Sequence, residues 1–542
     1  MRGQQLLIGT AVAVAVVTAA AGPRRGATQG AVAPPEAAAV AGGVVLDPEA
    51  VARARAAGRA PVIVRLRAQA DLGPAYRLAT KEARGRYVYE TLRRVAAESQ
   101  GPVVAWLAAR GVAPRQFWVT NALAVEADEA TLRALATRSD VAQVTLEGEL
   151  AVADPPPEAP PPDPDALAVP DVAERGLREI NADDVWRMGY EGEGAVVAVT
   201  DTGAIHTHPA LAAAYRGAEE GHDYNWFDAI KASEKPVDVN SHGTHVTGIV
   251  VGKQRSRQIG VAPKAKWIAC RLIEQRSGPD SAALACLQWV LAPTKVDGKT
   301  DPRPDLAPDV VNASWGDEPG KTCLNRTLQG AIRSLDAAGI VFVASAGNSG
   351  AGCQTVCVPG AFREVITVAN YDVGSRRINR TSSRGPVKWP EGTIIKPDIS
   401  APGTRINSSI PPSRYGEKSG TSMAAPHITG VVALIVGARP EYKGHPELVR
   451  NALLTTGRGI NAGRCGPGGD RSYNNAAGHG LVMADKAVKL ALTATPLPTA
   501  TATATATASP TATATATATP LATATPERGP TIFLPRLVLG VR

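Results

Sequence analysis

Aromatic side chains are scarce: Phe, Trp and Tyr make up 4% of the 542 residues, with only 5 Phe. Long apolar runs are missing as well. The one near the start, residues 6–20, falls short of the ~20 residues that span a bilayer, which excludes a polytopic membrane protein. The six cysteines contain no Cys-x-x-Cys pair and have no histidine at zinc spacing, so a thiolate zinc module is excluded. No block of like charge stands out either. The formal net charge of +8 divides into +5 over residues 1–150, −4 over 151–170, +5 over 171–492 and +2 over 493–542. A nucleic-acid surface needs a clustered basic patch, so no nucleic-acid partner is expected. Ordinary hydrophobic content, 44%, excludes a wholly disordered chain.

The two ends read as processing and display segments. Arg2, the apolar stretch 6–20 and Ala19-Ala20-Ala21 form an export signal over residues 1–21. An exported chain with an even cysteine count is expected to hold disulfides. Cys270, Cys286, Cys323, Cys353, Cys357 and Cys465 allow 15 pairings, and spacing does not choose among them. At the other end, residues 493–526 are Thr-Ala repeats broken by proline and carry no charge. They have nothing large to bury and read as an extended stalk, followed by a short apolar tail at 531–542. The protein is therefore expected to be secreted, or held at the cell surface through the stalk, with no membrane span in the mature chain.

Two folded regions lie between. Residues 60–150 approximate a β-α-β-β-α-β order: a strand at 62–66, a helix at 87–110, one or two strands in 117–126, a helix at 129–138 and a strand at 141–146. Pro155-Pro156-Pro157 and Pro160-Pro161-Pro162 then make a stiff acidic linker, open to proteolysis. Residues 171–492 alternate helices with apolar strands near 195–199, 267–270, 310–312, 340–344 and 365–368. Continuous apolar strands suit a parallel sheet covered on both faces, whose functional loops follow the strand carboxyl ends.

The chemistry-bearing residues sit at those ends. Asp201 lies in Asp201-Thr202-Gly203, His242 in His242-Gly243-Thr244-His245, and Ser422 in Gly420-Thr421-Ser422-Met423-Ala424-Ala425-Pro426. Asn348 lies in Ala346-Gly347-Asn348-Ser349-Gly350. A serine hydroxyl needs an imidazole base, the imidazole needs a carboxylate, and the tetrahedral oxyanion needs preset donors. Ser422 opens a helix, where backbone N–H groups are free to donate, and an Asn amide supplies a second donor. His245 follows His242 by one turn, but no third ligand is in view, so a metal role is not expected. His206, His208 and His427 read as packing or capping residues. A Gly-x-Ser-x-Gly elbow is absent, since residue 424 is Ala, which disfavours another class of serine acyl hydrolase.

In the order Asp, His, Ser, the four motifs over residues 190–490 resemble the subtilisin-like serine peptidases, the subtilases. The stretches 289–293 and 307–316 resemble its bacillopeptidase F branch more narrowly. The resemblance implies an α/β subtilisin-like fold preceded by a small ferredoxin-like propeptide at 60–150. It also implies a secreted endopeptidase, monomeric, acting on polypeptides and made as a self-processed zymogen that its own propeptide inhibits. The alternative is a catalytically silent surface or adhesion protein that keeps the fold. By the same resemblance Asp201 orients His242, His242 is the base, Ser422 attacks and Asn348 holds the oxyanion. Ser314, Trp315 and Gly316 would form one wall of the substrate cleft, and Ala344, Ser345, Ala346 and Gly347 the other. A disulfide engaging Cys353 or Cys357 would stiffen the pocket floor. Many subtilases bind calcium after the His-bearing helix. Here that stretch, 252–260, is basic and carries no carboxylate, so that calcium site is expected to be missing; calcium elsewhere stays open, with no site assignable and no other cofactor identified.

Overall fold

The computed structural model describes residues 44–152 and 174–495, apart from 256, 318–322, 461, 463–464 and 466–472. The export signal, the proline-rich linker and nearly all of the stalk and tail lie outside the described residues.

The N-terminal region forms a five-stranded sheet with helices. Its elements are β1 (Val45–Leu46), α1 (Pro48–Ala57), β2 (Ala60–Leu66), α2 (Lys81–Ala108), β3 (Arg115–Phe117), β4 (Ala122–Ala127), α3 (Glu129–Leu135) and β5 (Val141–Leu146). Strand order is β1-β5-β2-β4-β3, so the expected β-α-β-β-α-β unit is present, extended at one edge by β1 and α1. Helix α2 starts six residues before the expected 87, because the Thr80 hydroxyl accepts from Ala83 N–H and caps it there. Val88, Leu92, Val103 and Leu107 are buried as its 3.6-residue periodicity requires, whereas Val95 and Val104 are half-buried.

The chain then leaves this sheet. Strand β6 (Glu149–Ala151) pairs antiparallel with β12 (Ser277–Pro279) on one side and β14 (Gly316–Asp317) on the other.

The larger region opens with α4 (Arg175–Glu179) and α5 (Ala182–Arg187). Its central sheet contains β7 (Val196–Asp201), β8 (Trp226–Asp228), β11 (Lys266–Arg271), β13 (Val310–Ala313), β15 (Val341–Ser345), β16 (Ile366–Asp372), β17 (Arg377–Ile378) and β20 (Ile399–Pro402). The order is β17-β16-β15-β13-β7-β11-β8, with β20 also on β16; all pairs are parallel except β16–β17. Three hairpins lie outside it: β9–β10 (Lys253–Gln254, Arg257–Gln258), β18–β19 (Val387–Trp389, Gly392–Ile394) and β21–β22 (Ile406–Ile410, Arg414–Lys418). The first is the basic stretch 252–260.

The five expected apolar strands are all present. Alternation along them divides the core in two, as a period of two demands. Val197 and Val199 join the cluster under α7 (His242–Val251) and α10 (Thr421–Ala438). Ala198 joins the cluster under α8 (Asp280–Leu291) and α9 (Gln329–Ala337). The short α6 (Gly217–Glu220) and the late α11 (Pro446–Thr455) and α12 (Ala484–Thr493) complete the helices. Helix α10 is long and apolar enough to cross a membrane, but 94% of it is buried inside the protein; it is the core helix.

One buried charge pair braces the sheet. Lys396 is 1% exposed, and its ammonium donates to Asp398 Oδ2 at 2.6 Å, Val365 O at 2.7 Å and Thr367 Oγ1 at 3.0 Å. Burial pushes the lysine pKa down while Asp398 opposes that shift. Lys396→Met leaves the carboxylate without its main cation, so the denaturant midpoint is expected to fall by the equivalent of about 3 kcal/mol or more. An unchanged midpoint would show that the pair is not a brace.

Candidate active site

The parallel strands place their carboxyl ends at one edge, where Asp201 and His242 meet, and Ser422 stands at the start of the core helix. Asp201 is the last residue of β7, His242 the first of α7 and Ser422 the second of α10. His242 Nδ1 and Asp201 Oδ1 are 2.7 Å apart, and both side chains are completely buried. The approach depends on glycine. A Cβ on Gly243 would stand 2.0 Å from Gly203 O, and Gly203 itself has φ +109°, a conformation that favours glycine. Ser422 is 3% exposed; its hydroxyl donates to Ser314 O at 3.2 Å, while Ser314 Oγ donates back to Ser422 O at 2.9 Å.

Asn348 is oriented by Thr421. Its Oδ1 accepts from Thr421 N–H at 2.9 Å and from Thr421 Oγ1 at 3.0 Å, which turns Nδ2 the other way, beside the start of α10. A Cβ on Gly420 would lie 3.2 Å from that Nδ2, so the residue before Thr421 must also be small.

Ser422, Thr421 and Asn348 line a cavity of about 210 Å³ together with Ser314, Trp315, Gly316, Ser345, Ala346 and Gly347, whereas Asp201 and His242 lie outside that lining. One of the expected wall residues, Ala344, departs from that lining, and Trp315 lines it with its indole turned inward. Ala344 is not in the lining; it lies one step back in β15, paired with Ala313 and Thr367. The Trp315 indole points inward and donates to Thr200 O at 2.8 Å, because a ring of that size is accommodated under the sheet edge rather than in the cleft. Cys357, bonded to Cys323, lines the cavity, whereas the nearby Cys353, bonded to Cys465, is exposed outside the lining; Cys270–Cys286 joins β11 to α8.

The sequence profile of the subtilase family matches residues 192–484. The chain belongs to the subtilase family. Among similar proteins, Bacillopeptidase F of Bacillus subtilis (strain 168) is 38% identical over 340 residues, 60% of this chain but 22% of that protein. Subtilisin DY of Bacillus licheniformis is 31% identical over 320 residues, 58% of this chain and 98% of its own length. A thermostable alkaline protease of Halalkalibacterium halodurans is 32% identical over 300 residues, 52% and 72% of the two chains. The chain thus spans about a fifth of Bacillopeptidase F and nearly all of subtilisin DY.

Sequence reasoning missed the residue that binds this subtilase site together. Asp238, 9% exposed, lies between the Asp201 and His242 segments. Its Oδ1 accepts from Thr202 Oγ1, Asn240 N–H and Ser241 N–H, and its Oδ2 from Thr244 N–H and Oγ1, all within 3.0 Å. Burial pushes its pKa up, and those donors work against the shift. The only trace in the sequence is an acidic residue four before His242, a common turn and cap arrangement. The other histidines pack: His208 and His245 contact backbone carbonyls, and burial pushes His427 down to about 4, leaving it neutral at ordinary pH.

Asp238→Ala removes five accepted hydrogen bonds while leaving Asp201, His242, Ser422 and Asn348 in the chain. We expect peptide hydrolysis to fall by about tenfold or more, and unfolding stability to drop by about 2–4 kcal/mol. Wild-type turnover in this variant would show that Asp238 does not position His242.

Proposed function

We propose that the protein is a secreted serine endopeptidase made as a self-inhibited zymogen. The observation that carries this reading is the Asp201–His242 pair beside Ser422 and Asn348, with the chain's own strand β6 running through the adjoining cleft. In the reaction, Ser422 turns from Ser314 O toward His242, which takes its proton as Oγ attacks the substrate carbonyl. Asp201 holds the imidazole orientation and stabilises its protonated form. The oxyanion is received by Asn348 Nδ2 and the Ser422 N–H at the start of α10. His242 then protonates the leaving amine, and water hydrolyses the acyl-enzyme by the reverse path.

Strand β6 occupies the cleft as a substrate would, by adding a strand between two edges. Ala151 pairs with Gly316 and lines the cavity that holds Ser422, and Val152 N–H donates to Arg276 O at 3.0 Å. We place the self-processing bond in the residues just after Val152. The rest of the N-terminal module holds on independently. Lys81 Nζ reaches Asp309 Oδ1 at 2.6 Å, and the buried Arg84 guanidinium donates to the carbonyls of Asp336, Ala337 and Gly444, two of them at the carboxyl end of α9, where a cation is favoured. After cleavage the module is expected to remain as an inhibitor. An export signal and three disulfides fit an extracellular site of action.

Ser422→Ala is expected to stay at full precursor mass and to take up no fluorophosphonate label. A shortened Ser422→Ala protein in a pure preparation would argue against self-processing, and labelling that survives the substitution would argue against the mechanism. Asn348→Ala is expected to lower kcat by about 10²–10³, as for loss of one oxyanion donor; an unchanged kcat would show that Asn348 has another role.

A further inference from the structure

The strand in the cleft lies against two carboxyl groups, Asp280 and Asp317, that form no ion pair among the described residues. Leu150 pairs with Asp317 on β14 and with Gly278 on β12. Directly paired residues of antiparallel strands put their side chains on one face, so Leu150 has the Asp317 side chain on one flank and a bare glycine on the other. Two residues earlier, on the same face, Gly148 presses on Asp280. Its N–H donates to Asp280 Oδ2 at 3.1 Å, and a Cβ there would stand 2.8 Å from the same oxygen.

Neither carboxyl is satisfied. Asp280 is fully buried and its Oδ1 has no hydrogen-bond partner at good geometry, although the Thr327 hydroxyl approaches it. Asp317 Oδ2 accepts from Asn325 Nδ2 at 2.9 Å, but Oδ1 is buried without a partner. The charges on β6 and its approach are also acidic: Glu147, whose carboxylate accepts from Ser281 N–H at 2.9 Å, and Glu149. Among the described residues, the charge of Arg115 is balanced by Glu147. Burial pushes Asp317 up to about 8, with Asp280 adding to it, and burial pushes Asp280 up to about 6. A leucine thus stands where a counter-ion would relieve one buried acid, Asp280, and one half-buried acid, Asp317.

We propose that Asp280 and Asp317 form a cation-accepting subsite, so that the mature enzyme prefers polypeptides carrying Lys or Arg at the position Leu150 holds. This rests on the peptidase reading above. A long basic side chain leaving the strand at that position runs along Asp317 toward Asp280, and its N–H groups meet the two unfilled oxygens. The chain's own strand matches the cleft in shape but not in charge, which suits a segment that must occupy the site first and yield it to substrate later.

The test uses the activated enzyme and internally quenched peptides with the sequence of residues 147–156, position 150 being Leu, Lys, Arg or Glu. At pH 9 we expect kcat/KM for Lys and Arg to exceed that for Leu by about tenfold or more, with Glu the poorest. Protonation of the two carboxyls removes the attraction, so the Lys-to-Leu ratio is expected to shrink as the pH falls from 9 toward the ordinary carboxylate range. Asp317→Asn and Asp280→Asn should each lower the ratio and weaken its pH dependence. A ratio of one or less at pH 9, or one that neither pH nor either substitution alters, overturns the proposal. The wild-type series decides even if a variant fails to fold. Ser422-dependent cleavage of the Leu peptide without a basic preference would sink the subsite alone, whereas no cleavage of any peptide would sink the peptidase reading.

Discussion

The buried hydrogen bond between Asp201 and His242 is the contact around which the rest is arranged. Two ionisable groups with no solvent exposure are costly unless their geometry is well held, and this protein holds it with backbone. The carboxylate ends a central strand, the imidazole opens a helix, and Gly203 and Gly243 let those segments touch. Asp238 then ties them with five accepted hydrogen bonds. None of this leaves the imidazole free to wander, which suits the base role proposed for it.

A second constraint acts at the neighbouring edges. Short strands β12 and β14 present backbone donors and acceptors on either side of a gap, and unpaired strand edges invite another strand. Here β6 fills the gap and pairs with both. The feature that would receive an extended polypeptide is therefore the one that holds the N-terminal region in place. Leu150 and Val152 enter the same apolar cluster as α8 and α9, so main-chain pairing and side-chain burial act together.

The disulfides extend that rigidity to the pocket floor. Cys353 and Cys357 are only four residues apart, yet each is tied to a different distant segment, at Cys465 and Cys323. Closing loops of such different length restricts the unfolded chain, and it also fixes the stretch before Pro359 from two directions. Spacing alone could not choose these pairs, because proximity of cysteines is set by where the loops return.

The sequence by itself determined the strands, the order of the motifs and the identities of Asp201, His242, Ser422 and Asn348. Apolar runs and glycine-flanked polar residues are local patterns, and the parallel sheet follows from them. The cap at Thr80, the inward turn of Trp315, the withdrawal of Ala344 from the lining and the hub at Asp238 were not legible, since each depends on what an element packs against. The same holds for the meeting of Asp280 with Asp317. They lie 37 positions apart in the sequence and become one acidic flank because β12 and β14 stand on either side of the gap that β6 fills. Chemistry was written in residue types, while the positions of charge, disulfides and cleft walls were decided by packing, because long-range contacts carry no signature in local sequence.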